Sequence, residues 1–324
     1  MDRREFMAFF GGAALSSAFP AQAQQSERSF KIGLLWPGAI PPASPRLESF
    51  RLGLDDAGLA VGRNVEIDLR YAETGMESLP SLANELVARR VDVIQTSGDF
   101  APRVAQNATG TIPIVAISDD MVGAGLVSSL ARPNGNITGL TILSPELSAK
   151  RLEILREIVP GISRVAAISD PTTGTSQVRM TEDAAHSLDL QLDVLEVRNQ
   201  NELSALFNRA KEQGAEALNV FSSPFLASIY REIIDLAGAT RIPTIYQWKE
   251  HAEAGGLVSY GPGLAQMWRQ TASIVAKVLK GARPADIPVE QPTKFEFVIN
   301  LKTARLLGLT MPQSLVVRAA DLIE

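Results

Sequence analysis

One stretch of this chain is written twice. VDVIQTSGDFAP…GTIPIVAIS, from Val91, and AEALNVFSSPFL…TRIPTIYQ, from Ala215, follow the same plan: a strand pattern, a small polar turn with a proline, a helical pattern, then Ile-Pro opening the next strand. Such a unit is a β-α-β crossover. Its recurrence in both halves predicts an α/β fold of two similar, doubly wound parallel-sheet lobes. The flanking segments repeat the plan. The first half offers KIGLLW (from Lys31), VEIDLRY (Val65), VDVIQT (Val91) and IPIVAIS (Ile112), and from Arg164 the series restarts with RVAAIS, LQLDVLEV (Leu190), AEALNVF (Ala215) and IPTIYQW (Ile242). Between strands, Leu47, Phe50 and Leu54 fall at i, i+3 and i+7, as do Leu79, Leu82 and Leu86, and predict buried helix faces.

Turn-rich segments mark where the chain passes between lobes. ARPNGNITGLT, at 131–141, precedes a helical pattern and puts the first crossover at 140–144; EAGGLVSYGPG, before a long helical stretch, offers a second. The multi-strand hinge so formed divides the chain into lobe 1, at 30–141 plus about 257–287, and lobe 2, at 142–256 plus about 288–324.

The first 23 residues read as an address. Arg3 and Arg4 precede an apolar run interrupted by Gly11 and Gly12, and Ala21-Gln22-Ala23 supplies a small-x-small cleavage site. A spanning helix needs roughly 20 apolar residues, more than this run holds. The leader therefore predicts an exported protein located in the periplasm. Arg3-Arg4-Glu5-Phe6-Met7 resembles a twin-arginine signal, with ordinary Sec export as the other route. The chain has no cysteine, so its stability outside the cytoplasm must come from core burial, to which 45% hydrophobic residues are adequate. A net charge of −5 without a basic stripe argues against nucleic acid as a partner, and no later segment is apolar enough to insert into a membrane.

In open parallel sheets, ligands sit beyond the carboxyl ends of the strands. Those exits are Trp36-Pro37-Gly38, Ser97-Gly98-Asp99-Phe100 and Ser118-Asp119-Asp120 in the first half. In the second they are Asp170-Pro171-Thr172-Thr173, Ser222-Ser223-Pro224-Phe225 and Tyr246-Gln247-Trp248. Small hydroxyls, glycines, carboxylates and rings recur there, with Tyr260 as a further ring, which predicts a wet cleft with aromatic walls. The ligand-binding candidates are Trp36, Gly38, Ser97, Gly98, Asp99, Phe100, Ser118, Asp119, Thr172, Thr173, Ser222, Ser223, Phe225, Tyr246, Trp248 and Tyr260. A Ser or Asp ahead of a helix is also the usual N-cap, and Trp36 and Tyr246 suit packing between lobes equally well.

Beside this, the segment from Glu253 onward, EAGGLVSYGPGLAQMWRQTASIVAKVLKGARPADIPVEQPTKFEFVINLKTARLLGLTMPQSLVVRAADLIE, resembles the ABC-transporter substrate-binding protein family of the tryptophan/tyrosine-transport type. GLVSSLARPNGNITG and the leader RREF…AQAQQ resemble it as well. The resemblance implies a type I periplasmic-binding-protein fold with three crossovers, a small ligand held between the lobes, delivery to an ABC permease, and a monomer. It further suggests an aromatic amino acid or related aromatic carboxylate as ligand. A ligand-sensing protein serving a membrane receptor would share the fold.

Catalysis finds little support. There is no G-x-S-x-G elbow and no phosphate loop, and Gly261-Pro262-Gly263 followed by Gln266 fails the dinucleotide fingerprint. His186 and His251 stand apart without metal-ligand spacing, both expected on the surface. No enzyme activity, metal or cofactor is expected. Export is open to a direct test: replacing Arg3 and Arg4 with Lys should hold precursor in the cytoplasm if the twin-arginine route is used, and unchanged export would assign the leader to Sec.

Overall fold

The computed structural model describes residues 29–38, 44–72 and 75–324; the leader lies outside them. The first lobe is built from β1 (Phe30–Trp36), α1 (Pro45–Asp56), β2 (Val65–Tyr71), α2 (Leu79–Ala88), β3 (Val93–Ser97), α3 (Phe100–Ala108), β4 (Ile114–Ser118) and β5 (Ile137–Thr141). Its five strands lie parallel in the order β2-β1-β3-β4-β5. The second lobe opens with α4 (Ser144–Ile158), β6 (Arg164–Ser169), α5 (Thr175–Ser187), β7 (Gln191–Glu196), α6 (Leu203–Glu212) and β8 (Ala217–Val220). It continues through α7 (Pro224–Ser228), α8 (Tyr230–Thr240), β9 (Thr244–Tyr246), α9 (Lys249–Glu253) and β10 (Val258–Pro262). Helix α10 (Leu264–Leu279) returns to the first lobe, and β11 (Phe295–Asn300), α11 (Leu301–Leu307), α12 (Gln313–Arg318) and β12 (Asp321–Ile323) finish the second. The second sheet runs β12-β11-β10-β9-β8-β6-β7, parallel except where β10 meets β11.

Each sheet is buried on both faces, which is why its strands read as nearly continuous apolar runs. Along β1, Leu34 joins a cluster with Phe50, Leu54, Trp268 and Val275, whereas Leu35 faces the other way onto Leu79, Leu86 and Ala101. Val93 and Ile94 divide in the same manner, as the period of two requires. The predicted face of α1 is buried at Leu47, Phe50 and Leu54; on α2, Leu79 and Leu86 are buried with Ala83 between them, and Leu82 is partly covered.

The boundary placed near residue 257 needs correction. Strand β10, expected with lobe 1, belongs to the second sheet, because only the short α9 separates it from β9 and the chain has no length to go elsewhere. Of the segment at 257–287, lobe 1 takes α10 but not β10, and it also holds the chain just beyond residue 287. Val289 N–H donates to Leu130 O at 2.8 Å, and Glu290 exchanges backbone bonds with Gly139 and Thr141. The lobes are thus joined by three passages, after β5, after β10 and before β11.

Helix α10 rests on α1 at a glycine. A Cβ on Gly53 would lie 2.7 Å from both Ala272 Cβ and Arg269 O. Gly→Ala inside a helix gains about 1 kcal/mol from propensity, but overpacking costs typically 1–3 kcal/mol, and here the obstacle is backbone. Gly53→Ala should therefore lower the chemical-denaturation midpoint; a raised midpoint would show that the helices part easily.

Candidate functional site

The carboxyl ends of both sheets face each other across a cleft of about 1660 Å³. From the first lobe come Trp36 and Gly38 after β1, Arg46 in the first turn of α1, and Phe100 at the start of α3. The second lobe contributes Asp170 and Thr172 after β6, Phe225 on α7, Tyr230 on α8, and Trp248, Glu250 and His251 around α9. Deeper in, Ser97, Gly98, Asp119, Ser222 and Ser223 line a recess of about 40 Å³, space for little more than water. The lobes nearly touch here. Gly98 has φ +77° and a Cβ on it would sit 2.9 Å from Pro224 of the opposite lobe, so both conformation and clearance call for glycine.

Asp119 ties the lobes together. Its Oδ1 accepts hydrogen bonds from Ser144 Oγ at 2.7 Å and from Ser222 Oγ, so a carboxylate at the end of β4 is held by hydroxyls from α4 and from the exit of β8. Asp99 supports it from behind, accepting from Ser118 Oγ at 2.5 Å and from the Asp119 N–H at 2.9 Å. Asp99 and Ser118 thus shape the β4 exit and do not line the cleft. Burial, then the neighbouring charge of Asp99, pushes the Asp119 carboxyl from its ordinary 3.8 up to about 7, although the two serine hydroxyls pull it back. Burial also raises Asp99 and Asp170. Behind the cleft, the fully buried Arg151 donates to Ser148 Oγ at 2.7 Å, to Asn219 Oδ1 and to Tyr260 O; burial drops its pKa to about 9.

The rings divide into two groups. Trp36 and Trp248 line the cleft but are only 4% and 6% exposed, and both belong to the first-lobe core cluster. Trp36 stacks on Trp268 at 4.9 Å, and Trp248 packs there from the other lobe. Phe100, by contrast, is 41% exposed and Phe225 is half-buried. Two other expected rings do not reach the cleft. Tyr246 is buried in the second-lobe core, edge-on to His251, and Tyr260 packs between Phe295 and Phe297. Thr173 is likewise withdrawn, its hydroxyl accepting from Asp170 N–H. His186 lies exposed on α5, but His251, expected on the surface, is 5% exposed. It stacks on Tyr230 at 4.7 Å, and desolvation lowers its pKa to about 3, so the imidazole is neutral.

Cleft residues outside the candidates read from sequence include Arg46, Asp170, Arg198, Tyr230, Arg231, Glu250 and His251. Arg46 carried a usable signal. A cation in the first turn of a helix opposes the macrodipole, so its presence there needs another reason. Asp170 stood among the strand exits but was passed over for the hydroxyls beside it.

The family model for the ABC transporter substrate binding protein matches residues 44–323, and the chain belongs to that family. It is 26% identical over 289 residues to a tyrosine-binding protein of Clostridioides difficile (strain R20291), covering 88% of this chain and 82% of the relative. A Streptococcus pneumonia ABC domain solved in complex with L-Trp superposes with a TM-score of 0.83 at 26% identity, over 91% of this chain and all of that one. The ligand-free, open structure of a substrate binding protein with adhesive properties from Clostridium difficile gives 0.63 at 23% identity, over 91% and 99%. No helix among the described residues is long and apolar enough to cross a membrane.

The shifted acid has a measurable consequence. Asp119 keeps its proton up to about pH 7 when folded and releases it near 3.8 when unfolded, so the folded state binds the extra proton between those values. Stability from this group is complete below the lower value and falls as pH rises through the window. The melting temperature of the parent should therefore fall more steeply than that of Asp119→Asn from about pH 5 to 8. Parallel slopes would assign the pH dependence to other groups.

Proposed function

We propose that the protein captures an aromatic amino acid, or a related aromatic carboxylate, between its lobes outside the cytoplasm and delivers it to an ABC permease. The observation that carries this reading is the make-up of the cleft: open faces of Phe100 and Phe225, the ring of Tyr230, and charged groups of both signs in one inter-lobe space. Aromatic stacking contributes roughly 0.5–1.5 kcal/mol beyond area burial, and such rings also exclude water from a zwitterion held beside them. The relatives that bind tyrosine or carry L-Trp support the same ligand class. The leader supports export, and the family supports the permease as partner.

Of the candidates read from sequence, we place Phe100 and Phe225 against the ligand ring, with Trp36 and Trp248 as packed walls. Gly38, Ser97, Gly98, Thr172, Ser222 and Ser223 form the polar surround. A ligand at a hundredfold excess over its Kd stabilises the folded form by about 2.7 kcal/mol. A thermal-shift panel of L-tyrosine, L-tryptophan, L-phenylalanine and common sugars should give its hits among the amino acids; shifts by sugars alone would sink the reading. Phe100→Ala should weaken the best hit about tenfold, near 1.4 kcal/mol, with little change in the empty protein's melting. Trp36→Ala and Trp248→Ala are poorer probes, since truncating a buried Trp costs about 3–5 kcal/mol of stability by itself.

A further inference from the structure

We infer that the ligand's ammonium group docks on Asp170 of the second lobe and its carboxylate on Arg46 of the first, so that the zwitterion itself spans the cleft. This rests on the amino-acid reading above and adds the two residues that recognise the charged ends. The cleft exceeds the roughly 300–1,000 Å³ of a typical small-molecule site, so an amino acid fills only part of it. The charged groups decide which part.

Asp170 is 3% exposed. Its Oδ1 is fully used, accepting from Thr172 N–H at 2.8 Å and from Thr172 Oγ1 at 2.5 Å. Its own N–H donates to Thr173 Oγ1, which fixes the main chain at the β6 exit. Oδ2 is buried and has no hydrogen-bond partner among the described residues. Ser223 lies close enough to pull the Asp170 pKa down, and its O–H is free to turn toward the carboxyl while its Oγ accepts from Leu226 N–H as the cap of α7, yet no bond of normal geometry reaches Oδ2. No Lys, Arg or His among the described residues forms an ion pair with Asp170; the charges that face it are those of Glu196 and Asp119, both acidic. A buried carboxylate with an open lone pair and acidic neighbours is built to receive a cationic donor.

Arg46 is the complementary feature. Its guanidinium lies 5.9 Å over the Trp36 ring, and no hydrogen bond or ion pair engages its N–H groups among the described residues. The Glu250 carboxylate of the second lobe is the largest compensating charge acting on it, followed by Tyr230. The planar fork of an arginine, braced on a ring and with its donors open, fits a carboxylate in bidentate fashion. Glu250 is the rival for the ammonium, since its Oε2 is also unpartnered. It is less buried than Asp170 and is already offset by Arg46, so its unmet cost is smaller.

Isothermal titration with two probe series tests this: L-tyrosine, tyramine and 3-(4-hydroxyphenyl)propionate, and L-tryptophan, tryptamine and indole-3-propionate. The parent should prefer an amino acid over both of its truncated analogues. Asp170→Asn should weaken the amino acid and the amine at least tenfold while leaving the deaminated acid nearly unchanged. Arg46→Gln should weaken the amino acid and the deaminated acid and spare the amine, an independent arm should Asp170→Asn fold poorly. Equal losses on all three probes would mean a structural role and overturn the assignment. So would affinity for the amino acid and the amine that is lost in Glu250→Gln but kept in Asp170→Asn. A parent that binds no probe would instead overturn the amino-acid reading, and with it this inference.

Discussion

A buried carboxylate ties the two lobes together at the floor of the cleft. Asp119 ends a first-lobe strand, yet its Oδ1 is held by hydroxyls from α4 and from the β8 exit, both second-lobe elements. Removing a carboxylate from water costs several kcal/mol, and the surrounding network shows how that cost is met. Asp99 organises the loop from behind, the serines donate to the charge, and the positive field of buried Arg151 acts on it from α4. Arg151 in turn forms no ion pair with a carboxylate among the described residues; its N–H groups go to Ser148, Asn219 and a backbone carbonyl. Positive and negative charge are thus kept apart by neutral hydroxyls and amides, which leaves the acids receptive to an added cation.

That tie sits beside the hinge. The first passage between lobes runs through Leu143, whose φ of 62° places a bulky residue in the left-handed region, at a cost of roughly 1–2 kcal/mol. The next residue, Ser144, binds Asp119 twice, through its N–H to the backbone carbonyl at 3.1 Å and through its hydroxyl to the side chain. Strain persists only where its surroundings over-determine it, and here the over-determining contact is the inter-lobe latch. The Ser222 bond joins the β4 exit to the second lobe across the cleft, while the Ser144 bonds lie beside the first passage between the lobes. The hinge and the floor of the cleft are one mechanical unit.

Much of this was legible in the sequence, and the pattern of what was not is informative. The β-α-β repeat, the helix faces of Leu47-Phe50-Leu54 and the strand exits follow from local periodicity and from where parallel sheets bind ligands. Strand β10 was misassigned because pairing depends on which neighbour the chain can reach, a matter of connection length that periodicity does not record. His251 was expected on the surface because KEHAE reads as a polar helix; tertiary contact with Tyr230 and Tyr246 buries it. Trp248 and Tyr246, two residues apart, were both expected to offer ring faces. One is packed across the lobes and the other into a core, a division that only the three-dimensional contacts make.

Closure of the empty cleft is opposed by its own charges. Asp99 and Asp119 belong to the first lobe and Asp170 to the second, and the field of Asp170 raises Asp119 across the gap. Bringing the lobes together therefore adds repulsion among acids whose burial already disfavours ionisation. In the open state water screens the same groups and the repulsion fades. A ligand that places an ammonium between them gains more in the closed state than in the open one, and this differential affinity is what shifts the equilibrium. The packed tryptophans contribute differently: Trp36, Trp268 and Trp248 fit together in one apolar cluster and give the cleft a rigid wall, which lowers the ordering cost of binding. Ring burial alone could hold an apolar molecule in either state. With the ammonium docked as proposed above, the buried acids would make closure depend on the charge that the molecule carries.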